Sequence, residues 1–267
     1  MDKYTKSYTI ILDDTDVQKF HLQPVAAIKY LEDAYARYTA SKGMGTYDLK
    51  SRGQYWVINE INIFFHGSAP FWSEDIKVEL WFSEISRLKL YVDFRICCRD
   101  KIFAKGNTLW LIMDSKTKRP ALSDKIAEKF SICRELMLGE HIKIPMPPHA
   151  EQMSETRHKI TMSDIDFNGH VNNKIYLNIA GRTMPEAFRQ AYTLEKLHVR
   201  FNKETFLDDV LNCTAYKIGA QDNKTESKQY AHIIDRGGIS VCDLITDWRK
   251  YDEKEDILHC DLPVRHE

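Results

Sequence analysis

The residues best suited to chemistry lie together in Asp164-Ile165-Asp166-Phe167-Asn168-Gly169-His170-Val171-Asn172-Asn173-Lys174-Ile175-Tyr176. Several readings of this segment compete. The plainest is a polar loop leading into a helix, with Asn172 or Asn173 as its N-cap and the Asp and Gly residues serving the turn before it. A calcium loop is suggested by Asp164-x-Asp166-x-Asn168-Gly169, but the twelfth position, where a bidentate Glu is needed, is Ile175, and a strand rather than a helix precedes it. Zinc is excluded because the single His has no ligating partner a turn away. The remaining reading is a catalytic loop. If the segment is extended, Asp166, Asn168 and His170 at alternate positions project to one side, just ahead of a helix N-terminus whose free amides can polarise a carbonyl. An amide to place a substrate, an ionisable group to take a proton from water and donors for an oxyanion are what a hydrolase requires.

The elements that would position such a loop occur twice. In the first half, Tyr4 to Leu12 alternates like a strand, and Asp13 to Asp16 form a turn cluster. The spacing of Val25, Ile28, Leu31, Tyr35 and Tyr38 predicts a helix over Pro24–Ser41, with Pro24 in the first turn and Gly43 as its stop. Tyr55–Phe65, Ile76–Phe82, Leu88–Cys98 and Ile102–Met113 then read as four strands, the last pair a hairpin across Arg99-Asp100-Lys101. In the second half a strand at Arg157–Met162 precedes the Asp164–Asp166 turn, and a helix runs from Asn173 to Met184, ended or kinked by Pro185. Strand-like runs follow at Lys196–Thr205, Val210–Ile218, Glu226–Asp235 and Ile239–Trp248. The proline-rich stretch from Gly139 to Pro148 reads as an extended linker. The expected architecture is α+β, with an internal duplication: 1–135, a linker over 136–155, and 156–267.

Composition narrows the function classes. Lys and Arg number 38 against 39 Asp and Glu, so no global basic field draws the chain onto nucleic acid. Hydrophobic residues make up 43%, which suits a globular protein. No apolar run reaches the ~18 residues of a membrane span. The opening MDKYTKSYTIILDD shows no signal-peptide or transit pattern, and the six cysteines show no zinc spacing; the expectation is free thiols and a cytoplasmic location.

The stretch Asp166-x-Asn168-x-His170-Val171-Asn172-Asn173-x-x-Tyr176 resembles the D-x-N-x-H-V-N-N-x-x-Y signature of acyl-acyl-carrier-protein thioesterases. Supporting likeness comes from Tyr55-Trp56-Val57, Pro70–Asp75 with Trp81, Leu109–Asp114 and Lys116–Pro120. The stretch His198–Val210 is similar to the one carrying the family's remaining catalytic carboxylate, with Glu204 at the acid position. Two departures stand out. Thr205 follows that Glu where many members have Cys, and Ile179 stands in place of a Trp. The resemblance implies two tandem hot-dog domains, each a long helix packed on a curved antiparallel sheet. It also implies hydrolysis of acyl carrier protein thioesters to free fatty acid. Asp166, Asn168, His170 and Glu204 would be the catalytic residues: Asp166 and Glu204 as the acid–base carboxylates, one of them activating water directly or through His170, Asn168 orienting substrate, and the helix start at Val171–Asn173 helping to hold the oxyanion. No metal or organic cofactor is implied, the partner is an acyl carrier protein, and a homodimer is left open. Rivals are an acyl-CoA thioesterase of the same fold, a non-catalytic acyl or lipid-binding module, and a hydratase.

Comparing the halves adds an expectation of its own. Setting Asp14-Thr15-Asp16 on Asp164-Ile165-Asp166 places Gln18 on Asn168 and Phe20 on His170, so the first copy would lack the His. One working site per chain follows. The first half, with Tyr30, Tyr35, Tyr55, Trp56, Phe64 and Phe65, would be free to form an acyl pocket, and Ala27 and Ala34 are candidate small lining residues of its helix. Lys116, Lys118 and Arg119, or Lys174, Arg182 and Arg189, are candidate docking patches for an acidic carrier.

Overall fold

A strand half-buried on a helix must alternate, and strand β3 (Asp75–Ile85) does: Ile76, Val78 and Leu80 are buried while Asp75 and Lys77 are exposed. Trp81 breaks the alternation. It is also buried, because a later segment crosses it and the Glu135 carbonyl accepts from its indole N–H at 2.8 Å. The computed structural model describes residues 3–16, 19–122, 126, 128–139, 141, 151–218 and 227–251. Besides β3, its strands are β1 (Tyr4–Thr9), β2 (Gln54–Phe65), β4 (Leu90–Cys98), β5 (Lys101–Asp114), β6 (Glu151–Lys159), β7 (Tyr192–Phe201), β8 (Val210–Ile218), β9 (Ser227–Arg236) and β10 (Ile239–Lys250). The helices are α1 (Pro24–Ser41), α2 (Thr46–Lys50), α3 (Asn173–Arg182) and α4 (Glu186–Ala191).

All ten strands join one antiparallel sheet in the order β1-β3-β4-β5-β2-β7-β10-β9-β8-β6. Read inward from either edge, each half uses its first, third, fourth, fifth and second strand, so the halves repeat each other about the β2–β7 seam. The long helix of each half lies on this sheet, which is the tandem hot-dog arrangement. Helix α1 buries Ala27, Ile28, Leu31, Ala34, Tyr35 and Tyr38, one stripe at helical spacing, and α3 buries Ile175, Tyr176, Ile179 and Ala180. Each fully buried large apolar side chain contributes about 1.5–3 kcal/mol by leaving water. Among the described glycines the tightest is Gly106, where a Cβ would sit 2.0 Å from the Asn62 carbonyl oxygen and 2.7 Å from the Phe94 ring. Gly106→Ala would push β5 off β2.

The hairpin between β4 and β5 forms at the expected turn, with Arg99 at φ +48° and Asp100 at φ +62°, as a two-residue loop of matching twist requires. Other boundaries differ from expectation. Strand β6 lies at Glu151–Lys159 rather than Arg157–Met162, because a 3-10 turn takes Met162–Asp164. Helix α3 stops at Arg182, and Pro185 caps a separate α4 instead of kinking one helix. Strand β7 ends at Phe201, where Asn202 and Lys203 turn their amides onto the Val241 carbonyl, so Glu204 stands in a loop. Helix α2 has no counterpart in the sequence reading. Cys97, Cys98, Cys133, Cys213 and Cys242 are free thiols. Cys260 and residues 142–150 of the expected linker lie outside the described residues. Among the described residues, no helix is long and apolar enough to cross a membrane.

Candidate active site

The loop before α3 is not extended. Ile165 bridges to Val171, and the chain between them doubles back through Gly169 at φ +80°, a conformation that favours glycine. The turn is organised by Asp166, whose Oδ1 accepts the amides of Asn168 (2.8 Å) and His170 (3.2 Å). Asn168 Nδ2 lies 3.4 Å from Oδ2. Asp166 is thus largely engaged by its own loop. Asp164 is engaged too: burial opposes its ionisation, but hydrogen bonds from Thr161 and His158 outweigh that and hold its pKa below the usual carboxylate range. At the helix start, Asn172 is the N-cap and its side chain accepts from the Lys174 amide. The Val171 and Asn172 amides are already donated, to the carbonyls of Thr205 (3.0 Å) and Asp164 (2.8 Å). Of the segment expected to hold an oxyanion, that leaves the Asn173 N–H.

Glu204 is brought to this loop by its neighbour. Thr205 is fully buried, its carbonyl receives Val171, and its hydroxyl is 2.6 Å from the Tyr176 hydroxyl. The Glu204 carboxylate then meets His170 Nε2 at 3.4 Å on Oε2 and accepts the Tyr55 hydroxyl at 2.8 Å on Oε1. Lys118 Nζ stands 3.8 Å from Oε2. Burial, then the Glu204 contact, push the Tyr55 phenol's pKa up, so it stays a donor. The His170 ring packs edge-on to Phe206 with centroids 5.3 Å apart. Tyr55 and Lys118 belong to the first half, so the site spans both. The sequence offered no sign of this contact, although Tyr55 and Lys118 were singled out for other roles.

These groups line a cavity of about 580 Å³. It exists because the β2–β7 ladder runs only from Glu60–Arg200 to Phe64–Lys196, so the two strands part beyond it and residues 55–59 line the opening. Asp166, Asn168, His170 and Glu204 all face it, and Tyr35, Trp56, Ile58 and Trp110 form an apolar wall. Tyr35 and Trp110 stack with centroids 3.8 Å apart. Of the six aromatics expected around a slot, Tyr35, Tyr55 and Trp56 line the cavity, and Tyr30, Phe64 and Phe65 do not. Ala27 and Ala34 are wholly buried in the core and take no part in it. Glu32 of α1 also lines the cavity and accepts from Asn173 Nδ2 at 3.0 Å. Burial raises its pKa, the hydrogen bond from Asn173 opposes that, and the Asp166 charge adds to the rise. Among the described residues no group of three or more His, Cys, Asp or Glu is placed to share a metal ion.

The first-half loop corrects the comparison made by counting. The Asp16 amide donates to the His21 carbonyl as Asp166 does to His170, and Gln23 donates to Asp14 as Asn172 does to Asp164. Thr15 bridges Leu22 as Ile165 bridges Val171, so the first loop is one residue longer and His21, not Phe20, is the counterpart of His170. What the first copy lacks is the Glu. Leu22 donates to Pro70 as Val171 donates to Thr205, which sets Ala69 where Glu204 stands. His21 Nδ1 lies 2.7 Å from the Ala69 carbonyl oxygen. Gln18 lies outside the described residues.

Known proteins can now be set beside this geometry. The sequence matches the acyl-ACP thioesterase N-terminal domain over residues 1–130 and the acyl-ACP thioesterase C-terminal domain over residues 147–250. The dodecanoyl-[acyl-carrier-protein] hydrolase, chloroplastic, of Cinnamomum camphora is 22% identical over 249 residues, covering 84% of this chain and 62% of the relative. The acyl-[acyl-carrier-protein] hydrolase FATB3, chloroplastic, of Cuphea viscosissima is 22% identical over 243 residues, 87% of this chain and 56% of the relative. The chain thus spans less than two thirds of the length of these curated relatives. The fold is shared with the 12:0-ACP thioesterase from Umbellularia californica (TM-score 0.78, 16% identity, 93% of this chain and 94% of that one). It is shared too with an acyl-ACP thioesterase from Bacteroides thetaiotaomicron (TM-score 0.73, 19% identity, 92% and 98%). With both of its halves matched in order by that family's two domains, this chain belongs to the acyl-ACP thioesterase family.

Proposed function

We propose that the protein hydrolyses acyl-acyl carrier protein thioesters to free fatty acid, ending chain elongation, with water activated at Glu204. The observation that carries this reading is the Glu204 carboxylate, flanked by His170 and Tyr55, at the polar end of a cavity with an aromatic wall. An acyl chain lies along Tyr35, Trp56 and Trp110, and the thioester carbon stops near Glu204 and His170. Glu204 takes a proton from water, directly or through His170, and the hydroxide attacks that carbon. Asn168 Nδ2 and the Asn173 N–H, at the positive end of α3, receive the oxyanion. The tetrahedral intermediate expels the carrier thiolate as the C–S bond breaks, and the proton held by the pair passes to sulfur. Asp166 shapes the loop rather than exchanging protons, since its Oδ1 already accepts two amides.

A covalent route has little support. Thr205 is buried and its hydroxyl is engaged with Tyr176. Burial pushes the Cys98 thiol up to about 11 and Cys213 up to about 12, and raises Cys97 and Cys242. A nucleophilic cysteine needs the reverse. Lys118 and Lys203 line the cavity beside the Lys116–Arg119 turn, a cationic mouth that suits an acidic carrier protein. The same charges suit the phosphates of coenzyme A, the second reading. One chain supplies both halves of the site, so no second copy is needed, and the five free thiols fit a cytoplasmic setting. The test is to incubate purified protein with acyl carrier protein and coenzyme A thioesters of several chain lengths and measure free acid. Release from carrier substrates is expected. Release only from coenzyme A substrates would favour the second reading, and no release from either would refute both.

A further inference from the structure

The duplication provides a comparison inside one molecule. Helices α1 and α3 begin at equivalent N-caps, Gln23 and Asn172, so Pro24 corresponds to Asn173, and Glu32, eight residues further along, to Gly181. At the cavity, Glu32 of one helix accepts from Asn173 of the other. At the mirrored place the pair is Gly181 and Pro24, which have neither the carboxyl nor the amide. The two loops keep Asp16 and His21 in common with Asp166 and His170, so those two residue types go with the loop's shape. Three side chains appear only where the cavity is: Glu204, Asn173 and Glu32.

We propose that Glu32 is a positioning residue of the active site, holding the Asn173 side chain and with it the first turn of α3, and so fixing the Asn173 N–H that serves the oxyanion. This rests on the hydrolase reading above. Glu32, like Tyr55, reaches the site from the first half. Burial favours its neutral form, which still offers a carbonyl oxygen to Asn173. A carboxylate there would oppose the developing oxyanion; a neutral acid does not. An acceptor is therefore needed at position 32, and a charge is not.

The test compares wild type, Glu32→Ala, Glu32→Gln, Asn173→Ala and the double variant Glu32→Ala/Asn173→Ala, each first checked for folding by circular dichroism, in hydrolysis of acyl carrier protein thioesters. Glu32→Ala and Asn173→Ala are expected to lower kcat about tenfold or more while KM moves less than about threefold, since the interaction is made to the transition state. Glu32→Gln keeps the acceptor and should recover most of the turnover. The double variant should be no worse than the weaker single one, because both remove one interaction. A role confined to joining the helices would move the unfolding midpoint and leave kcat alone, which overturns the proposal. So would a Glu32→Gln variant as impaired as Glu32→Ala, or losses that multiply in the double variant. If Glu32→Ala does not fold, Glu32→Gln and Asn173→Ala decide: near-normal and impaired turnover respectively support the proposal, and any other pattern overturns it. A wild type with no hydrolase activity refutes the functional reading and this proposal together, whereas an active wild type with indifferent variants refutes the proposal alone.

Discussion

Lowering the pH from about 7 to about 5 is expected to weaken the fold through two buried imidazoles, His198 and His232. His232 is almost wholly enclosed, with Thr183 and Thr246 hydroxyls at 3.1 Å on its two nitrogens. His198 is buried against the Asn62 side chain, which in turn bonds Asn107. Burial lowers both pKa values to about 4. Unfolding releases them to ~6.5, so the unfolded chain binds more protons between those values and stability falls as pH falls through that window. At about pH 7 the loss is only ~0.2 kcal/mol per histidine; at about pH 5 it is ~2 kcal/mol each, a sizeable share of the ~5–15 kcal/mol that holds a domain folded. Asp93 and Glu32, whose pKa values burial raises, act in the opposite sense. The informative quantity is therefore the difference between wild type and His232→Gln. Urea unfolding across this range should show the variant losing about 2 kcal/mol less than wild type between about pH 7 and about pH 5. Parallel curves would refute the assignment of a neutral, protected His232.

Other expectations concern the site. Glu204→Ala, His170→Ala and Asn168→Ala should each lower turnover by about 100-fold or more, and Tyr55→Phe, which removes one hydrogen bond to a partly exposed carboxylate worth about 1–2 kcal/mol, by about 5–30-fold; unaltered kcat in all four would remove Glu204 from the mechanism. Thr205→Ala should lose stability through its Tyr176 contact yet keep substantial turnover, checked by unfolding and steady-state rates side by side; trapping an acylated Thr205 by mass spectrometry would overturn the direct-water route. Trp110→Phe trims the aromatic wall, so the cavity widens and preference should shift toward longer acyl chains, whereas an unchanged chain-length profile would place the acyl slot elsewhere. Reversing charge at Lys116 and Arg119, away from the contact that Lys118 makes with Glu204, should raise KM for carrier substrates most at low salt; no change would exclude that turn from docking.

Much of the fold was legible because periodicity is local. The α1 stripe and the alternation of β3 and β4 each depend on neighbours within a few residues, and the Arg99–Asp100 turn declared itself by its place between two alternating runs. The site was legible in its residue types and less so in its shape. Nothing about Asp166, Asn168 and His170 indicates that Gly169 folds them into a turn in which Asp166 accepts backbone amides. Glu204 reads as strand when the run from Lys196 is carried on to Thr205, although Asn202, Lys203 and Glu204 are poor strand formers and the ladder stops at Phe201. Counting through the first loop missed His21, since one inserted residue shifts every later position and only the hydrogen bonds restore the match. The contacts of Tyr55 with Glu204 and of Glu32 with Asn173 join residues 149 and 141 positions apart. They become visible only when the two halves share a sheet.

The β2–β7 seam also bears on the order in which the chain folds. Strands within each half lie close in sequence, but the seam unites two strands through five residue pairs, Glu60–Arg200 to Phe64–Lys196, more than 130 positions apart. Closing so long a loop is slow, and the few pairs that reward it arrive last. Each half is therefore expected to gather its own sheet first, exposing β2 and β7 as unpaired edges until they meet, and those edges are where two chains could pair wrongly at high concentration. Because Glu204 meets Tyr55 and Asn173 meets Glu32 across this junction, the candidate site is complete only once the two halves have docked. Regain of activity after dilution from urea should accordingly lag the recovery of secondary structure.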